Sequence, residues 1–419
     1  MKKLFIILFS VLMVAGFVYA AEEEEEGTVF DFSGMINTRG SYLDNDTGEL
    51  EDAGDYMYYD MEFDGTLKIT PTDQTLIYLN WEIHDENYTV SPDAAPGAPN
   101  DDNIYFKRAY GSYDFSQGTS LDFGLMTGGA WATAFGDNAD GYYRVKAVHK
   151  ADFGVLVGLV EKDAEVGPGA TGDYEAEKDD NDMYALALIT KAGDITIMPL
   201  LKYATVGTVE ADEETDLTVM ALDLGATGSF GAIGFEAEFV YADFSYDTDF
   251  DAEDYNLMGA YVNVWTSMDA LKIGGMIGYG SWDDDAGKGF GFGEDFGPGY
   301  WVMDWEHFGS SGKAEYYAAT LIAVYGSYAV NDALSLNGAL EYMMSNEEDT
   351  EWEEATGTIV SAGLSYKLAD NVTYAVGGAY GQFKGDDFTW DDDDDVTTPE
   401  VENDPDAFAR VYHKITISF

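Results

Sequence analysis

Segments with apolar residues at every second position recur along the whole chain, and the connections between them alternate short with long. Period-2 stretches bounded by turn residues give eighteen candidate strands. Short turns such as Pro71 to Asp73, Ser116 to Thr119, Lys150 to Asp152, Lys191 to Asp194, Ser229 to Ala232, Asn331-Asp332 and Ala369 to Asn371 join even strands to the next odd one. Long polar segments join odd to even, at 43–55, 85–103, 127–141, 162–182, 205–215, 244–254, 281–315, 344–357 and 384–406. A β-sandwich has no reason to keep that rhythm, whereas a membrane barrel has short turns at one rim and long loops at the other. The expected fold is all-β, a transmembrane antiparallel up-and-down β-barrel of about eighteen strands. Sixteen is the alternative, if two of the weaker hairpins between residues 142 and 204 are not strands.

The two faces of these strands differ in chemistry. In 57–69, Met57, Tyr59, Met61, Phe63, Leu67 and Ile69 alternate with Tyr58, Asp60, Glu62, Asp64 and Lys68. Glu82, Glu236, Glu238 and Glu341 occupy the polar face of later strands. Charge repeated on the second face of strand after strand implies that this face is wet, and in a closed barrel it lines the lumen. Closure follows once the strands span lipid, because an open sheet edge would leave N–H and C=O groups with no water partner. Tyrosines near strand ends, among them Tyr42, Tyr113, Tyr203, Tyr241, Tyr279, Tyr342 and Tyr366, suit aromatic girdles at the lipid boundary.

Composition limits the remaining classes. Lys2 and Lys3 precede an apolar run from Leu4 to Val18, and Val18-Tyr19-Ala20 offers small residues where a signal peptidase cuts. The expected organisation is a cleaved secretory signal at 1–20, an acidic tail at 21–27 and a barrel at 28–419. The chain has no cysteine, which excludes a disulfide framework. A formal net charge of −60 excludes nucleic acid as a partner, since phosphate binding needs the opposite sign.

By strand parity Arg39, Lys68, Arg144, Lys146, Arg410 and Lys414 point to the wet side. First, second and last strands are neighbours in a closed barrel, so Arg39, Lys68, Arg410 and Lys414 are expected to form one basic strip. Such a strip either sets up a transverse field or neutralises Asp60, Glu62, Asp64 and Glu82 on adjacent strands. Arg108 is ambiguous, because Lys107 adjoins it and one of the two must face outward unless a bulge intervenes.

The closing segment 407–419 (AFARVYHKITISF) sets Val411, Ile415, Ile417 and Phe419 on one face and Arg410, Tyr412, Lys414, Thr416 and Ser418 on the other. With the strand rhythm and the signal ending Val18-Tyr19-Ala20, this terminal aromatic strand resembles that of Gram-negative outer-membrane porins, and the likeness spans the mature chain. The resemblance implies a homotrimeric general-diffusion channel in outer-membrane lipid, with Phe419 read by the barrel assembly machinery. It also implies that the third outer loop folds into the barrel, which makes Asp137 and Asp140 constriction candidates. That connection, Thr127 to Gly141, is short for such a loop.

The outer loops carry most of the acid, at 247–254, 283–285, 347–354 and 391–395. They are expected to repel anions, giving cation preference, and to hold divalent cations weakly, with no calcium-loop spacing. Residues 282–313 are rich in aromatics, and Trp301 and Trp305 among acids resemble a sugar-binding surface, the alternative being rings that pack on one another or clasp a neighbouring subunit. His84, His149, His307 and His413 are scattered, so no enzyme is expected. A substrate-selective channel and a plugged adhesion or ion-binding barrel are the alternatives.

Overall fold

The computed structural model describes residues 27–45, 56–89, 105–115, 118–127, 131–136, 141–164, 181–210, 213–247, 254–292, 296–297, 318–348, 355–384 and 408–419. The first strands are β1 (Val29–Asn45), β2 (Tyr56–Thr72), β3 (Thr75–Thr89), β4 (Tyr105–Asp114) and β5 (Thr119–Thr127). Next come β6 (Gly141–Ala151), β7 (Gly154–Ala164), β8 (Asn181–Ala192) and β9 (Ile195–Glu210). β10 (Glu213–Phe230), β11 (Ile233–Asp247), β12 (Tyr255–Met268) and β13 (Leu271–Gly280) follow. A small hairpin, β14 (Trp282–Asp283) with β15 (Lys288–Gly289), stands apart from the main sheet. β16 (Ala319–Ala329), β17 (Leu334–Ser345), β18 (Thr356–Ala369), β19 (Val372–Lys384) and β20 (Phe408–Ser418) complete the circuit.

Eighteen of these strands form one antiparallel sheet in which sequence neighbours pair and β20 returns to pair with β1, so the sheet is closed. The seam runs from Met35 opposite Ser418 to Asn45 opposite Phe408. One residue further, Phe419 N–H donates to the Gly34 carbonyl at 3.0 Å and Gly34 N–H to the Phe419 carbonyl at 2.9 Å. The Phe419 ring lies over Gly34, where any Cβ would meet it at 2.8 Å, and packs against Phe32 and Phe63.

Alternation is sharpest on β12 to β18. Val262, Ile277, Val324 and Val360 are 49, 54, 53 and 52% exposed, while the intervening Tyr261, Met276, Ala323 and Ile359 are buried. The exposed set is the apolar outer band, and the buried set lies on the inner face. Tyr113, Tyr203, Tyr241, Tyr279, Tyr342 and Tyr366 are exposed on that outer face. Two-residue turns make most of the connections at one rim, and Gly193 and Gly231 supply the positive φ such turns require, at 66° and 64°.

Three expectations need correction. Strands β6 to β9 are all present, so sixteen strands does not hold. The expected long connection at 205–215 is a continuation of two strands, with Thr205 to Glu210 pairing with Glu213 to Thr218. Thr and Val recur on both arms, and β-branched side chains suit the pleated sheet. The basic strip is shorter than expected: Arg39 stands opposite Lys414, but Lys68 stands opposite Asp31, eight residues further down β1. At ~3.3 Å per residue that separation is about 26 Å, so Lys68 belongs to a different level of the wall. The bulge alternative for Arg108 is realised, because the register steps from Asn80–Arg108 to Trp81–Phe106 and leaves Lys107 as the extra residue.

Candidate functional site

The third outer connection folds inward at residues 131–136, and the wall is shaped to receive it. Trp131 Nε1–H donates to the Met198 carbonyl at 2.9 Å. The β8–β9 ladder skips Met198 and Pro199, since proline has no N–H to contribute. On the next strand, Gly225 leaves room for Ala132: a Cβ at residue 225 would lie 2.0 Å from the Ala132 Cβ. Thr133 donates to Glu238 Oε2 from its backbone N–H at 2.8 Å and from its hydroxyl at 2.6 Å. Glu238 is 3% exposed and stands opposite Gly225 of β10, two residues along from the buried Asp223. A short 3-10 turn, Ala134–Gly136, then carries Phe135 to complete burial.

Phe135 meets a second inward segment. Residues 290–292 and 296–297, beyond the β14–β15 hairpin, bring Phe290, Phe292 and Phe296 against it, with ring centroids 5.4, 5.0 and 5.2 Å from Phe135. Tyr261 stacks on the same ring at 5.7 Å, and Met276, Leu321 and Ala323 complete the cluster from the inner wall. Gly259 and Gly278 face it without side chains, and a Cβ at either would enter a phenylalanine ring's space. Burying an aromatic ring contributes about 1.5–3 kcal/mol, so three nearly inaccessible rings make this a firm anchor for both connections. Phe290, Phe292 and Phe296 therefore pack on one another, as one of the two expectations for 282–313 has it. Trp301 and Trp305 lie outside the described residues, as do the constriction candidates Asp137 and Asp140.

Elsewhere the inner wall is polar and charge-matched. Arg39 stands in register with Asp60 on β2 and with Lys414 on β20. Glu62, Asp64 and Glu82 bring carboxylate oxygens within 4.8 Å of one another. Asn37 donates to Glu62 at 3.1 Å and Asn80 to Asp64 at 2.7 Å, while Lys107 pairs with Glu82. Lys146 pairs with Asp122 at 2.8 Å and Arg144 with Glu161. Glu236 accepts from the Tyr261 hydroxyl at 2.6 Å and from Asn263 at 3.0 Å. Glu341 is buried opposite Ala323 and Ile359. Lys68 sits over Tyr78, and Arg410 over Tyr412. Basic and acidic side chains thus pair across adjacent strands.

Sequence reasoning missed Trp131, Thr133 and Phe135, although aromatics between small residues in GAWATAFG mark a segment able to pack closely. It also missed Asp223 and the wall glycines 225, 259 and 278, whose role is visible only from what occupies their space.

No protein-family model and no curated protein matches the sequence. Solved structures do. OccK9 (OpdG) of Pseudomonas aeruginosa is 11% identical with a TM-score of 0.57, covering 93% of this chain and 99% of that one. OccK8 (OprE) of the same organism is 10% identical with a TM-score of 0.55, covering 94% and 100%. OccAB1 of Acinetobacter baumannii is 10% identical with a TM-score of 0.53, covering 95% and 99%. At such identities the likeness is one of fold, a closed antiparallel β-barrel of the bacterial outer membrane.

Proposed function

We propose that this chain is a passive, water-filled channel of the outer membrane for small hydrophilic solutes and ions, and that it prefers cations. The observation that carries the proposal is the inner face, which is polar and charged from β1 to β6 inside a closed barrel, while two inward connections fill the side formed by β9 to β17. An apolar outer band and a wet, partly filled interior suit conduction through a narrowed bore. The preference for cations is supported by the net charge of −60, much of it in outer loops that enrich cations at the mouth. The same loops would hold divalent cations weakly. The proposal includes removal of residues 1–20 as a signal, an acidic tail at 21–27, recognition of Phe419 by the assembly machinery and association as a homotrimer.

Selective uptake of a particular solute class is the second reading, favoured by the inward segment at 290–297, which takes up more of the lumen than one tongue alone. Planar-bilayer recording of refolded mature protein across a salt gradient tests the main proposal. Stepwise ohmic conductance with a zero-current potential of cationic sign is the expected result. Silent bilayers would end the channel reading, and an anionic sign would end the cation preference.

A further inference from the structure

The inward tongue is held at its tip by Glu238 and Gly225; at its root two arginines meet one threonine. Thr127 is the last residue of β5, where the chain leaves the wall. Arg108 of β4 donates from Nε to Thr127 Oγ1 at 2.9 Å. Arg144 of β6 donates from Nη1 to the Thr127 carbonyl at 2.6 Å, and its Nε reaches Glu161 of β7. Strands β4 and β6 are the two neighbours of β5, so Thr127 is gripped from both flanks. A guanidinium can do this because its N–H groups diverge in a fixed plane, whereas a lysine ammonium is a point charge on a flexible stem. Glu161 is 6% exposed, and a carboxylate at that depth holds its arginine partner in place.

We propose that Arg108 and Arg144 are positioning residues that fix the root of the tongue and so set the bore of the channel, their charges being secondary to their geometry. The proposal rests on the channel reading above. Arg144 spends its charge on Glu161, which leaves little field for solutes at that level. Its hold on the Thr127 carbonyl, with Arg108 on the hydroxyl, decides the direction in which the chain departs from β5. The tip contacts at Met198, Gly225 and Glu238 then fall within reach.

Thr127→Val separates geometry from charge, since it removes the acceptor of Arg108 and leaves every charge in place. The chain has no cysteine, so Ala134→Cys, exposed on the tip, accepts a single nitroxide label. In barrels shown to be folded by their heat-dependent gel mobility, T127V is expected to mobilise the label and raise single-channel conductance. Its zero-current potential should not move, and T127S should behave as the parent. R108Q with R144Q, which also releases the Thr127 carbonyl, should loosen the label and raise conductance at least as far as T127V. The proposal is overturned if T127V leaves label and conductance unchanged, or if the label loosens while conductance stays the same. A parent protein that does not conduct would remove the channel reading instead, and an immobile label in T127V would still overturn the clamp.

Discussion

Residue by residue, the interior depends on where side chains are missing. Gly225 lies on the inner face of β10, and its lack of a Cβ is what lets Ala132 rest against the wall. Gly225→Val would insert two methyls and a Cβ into occupied space, and overpacking of that kind costs about 1–3 kcal/mol. Because the barrel ladders on both sides of Gly225 are continuous, the tongue should yield before the strand does. The expected outcome is a folded barrel of normal heat-dependent gel mobility, with higher conductance and faster proteolysis between residues 128 and 140. Unchanged conductance would mean that the tongue does not narrow the bore.

Among elements, the two inward connections are coupled through Phe135, which touches Phe290, Phe292 and Phe296 at once. Truncating a buried Phe to Ala typically costs about 3–5 kcal/mol, and contacting residues show coupling energies of about 0.5–3 kcal/mol. Phe135→Ala and Phe292→Ala should each raise protease sensitivity in both connections, and the double variant should add less than the sum. Strict additivity would show that the connections fold independently. Period-2 alternation, turn glycines and loop lengths made the strands legible, because each strand's pattern is local and repeats. The inward packing was not legible, since Phe135 and Phe292 lie more than a hundred and fifty positions apart in sequence. Trp131 had a local signature; its acceptor at Met198 became available through Pro199, on a strand four pairings away.

For the whole molecule, the acid that dominates composition and the charge lining the wall act over different distances. The wall pairs Lys146–Asp122 and Arg144–Glu161 cancel locally, so ion preference should come from the loops and the net charge of −60. Screening shortens from about 10 Å at 0.1 M salt to about 3 Å at 1 M. The cation preference is therefore expected to fall steeply between those concentrations, measured as the zero-current potential at a constant salt ratio. A preference that survives 1 M salt would place selectivity at the wall instead. Parity grouped the charged residues on one face, and the register separates Lys68 from Arg39 and Lys414, which no alternation pattern could do.

The pairing of β1 with β20 also imposes an order in time. Gly34 and Phe419 are bonded to each other although far apart in sequence, so that hydrogen bond cannot exist until β20 has been made. A chain without β20 carries two unsatisfied strand edges, and contacts of such long range form slowly. Closure therefore waits on β20, and until β20 meets β1 the sheet keeps both of its edges.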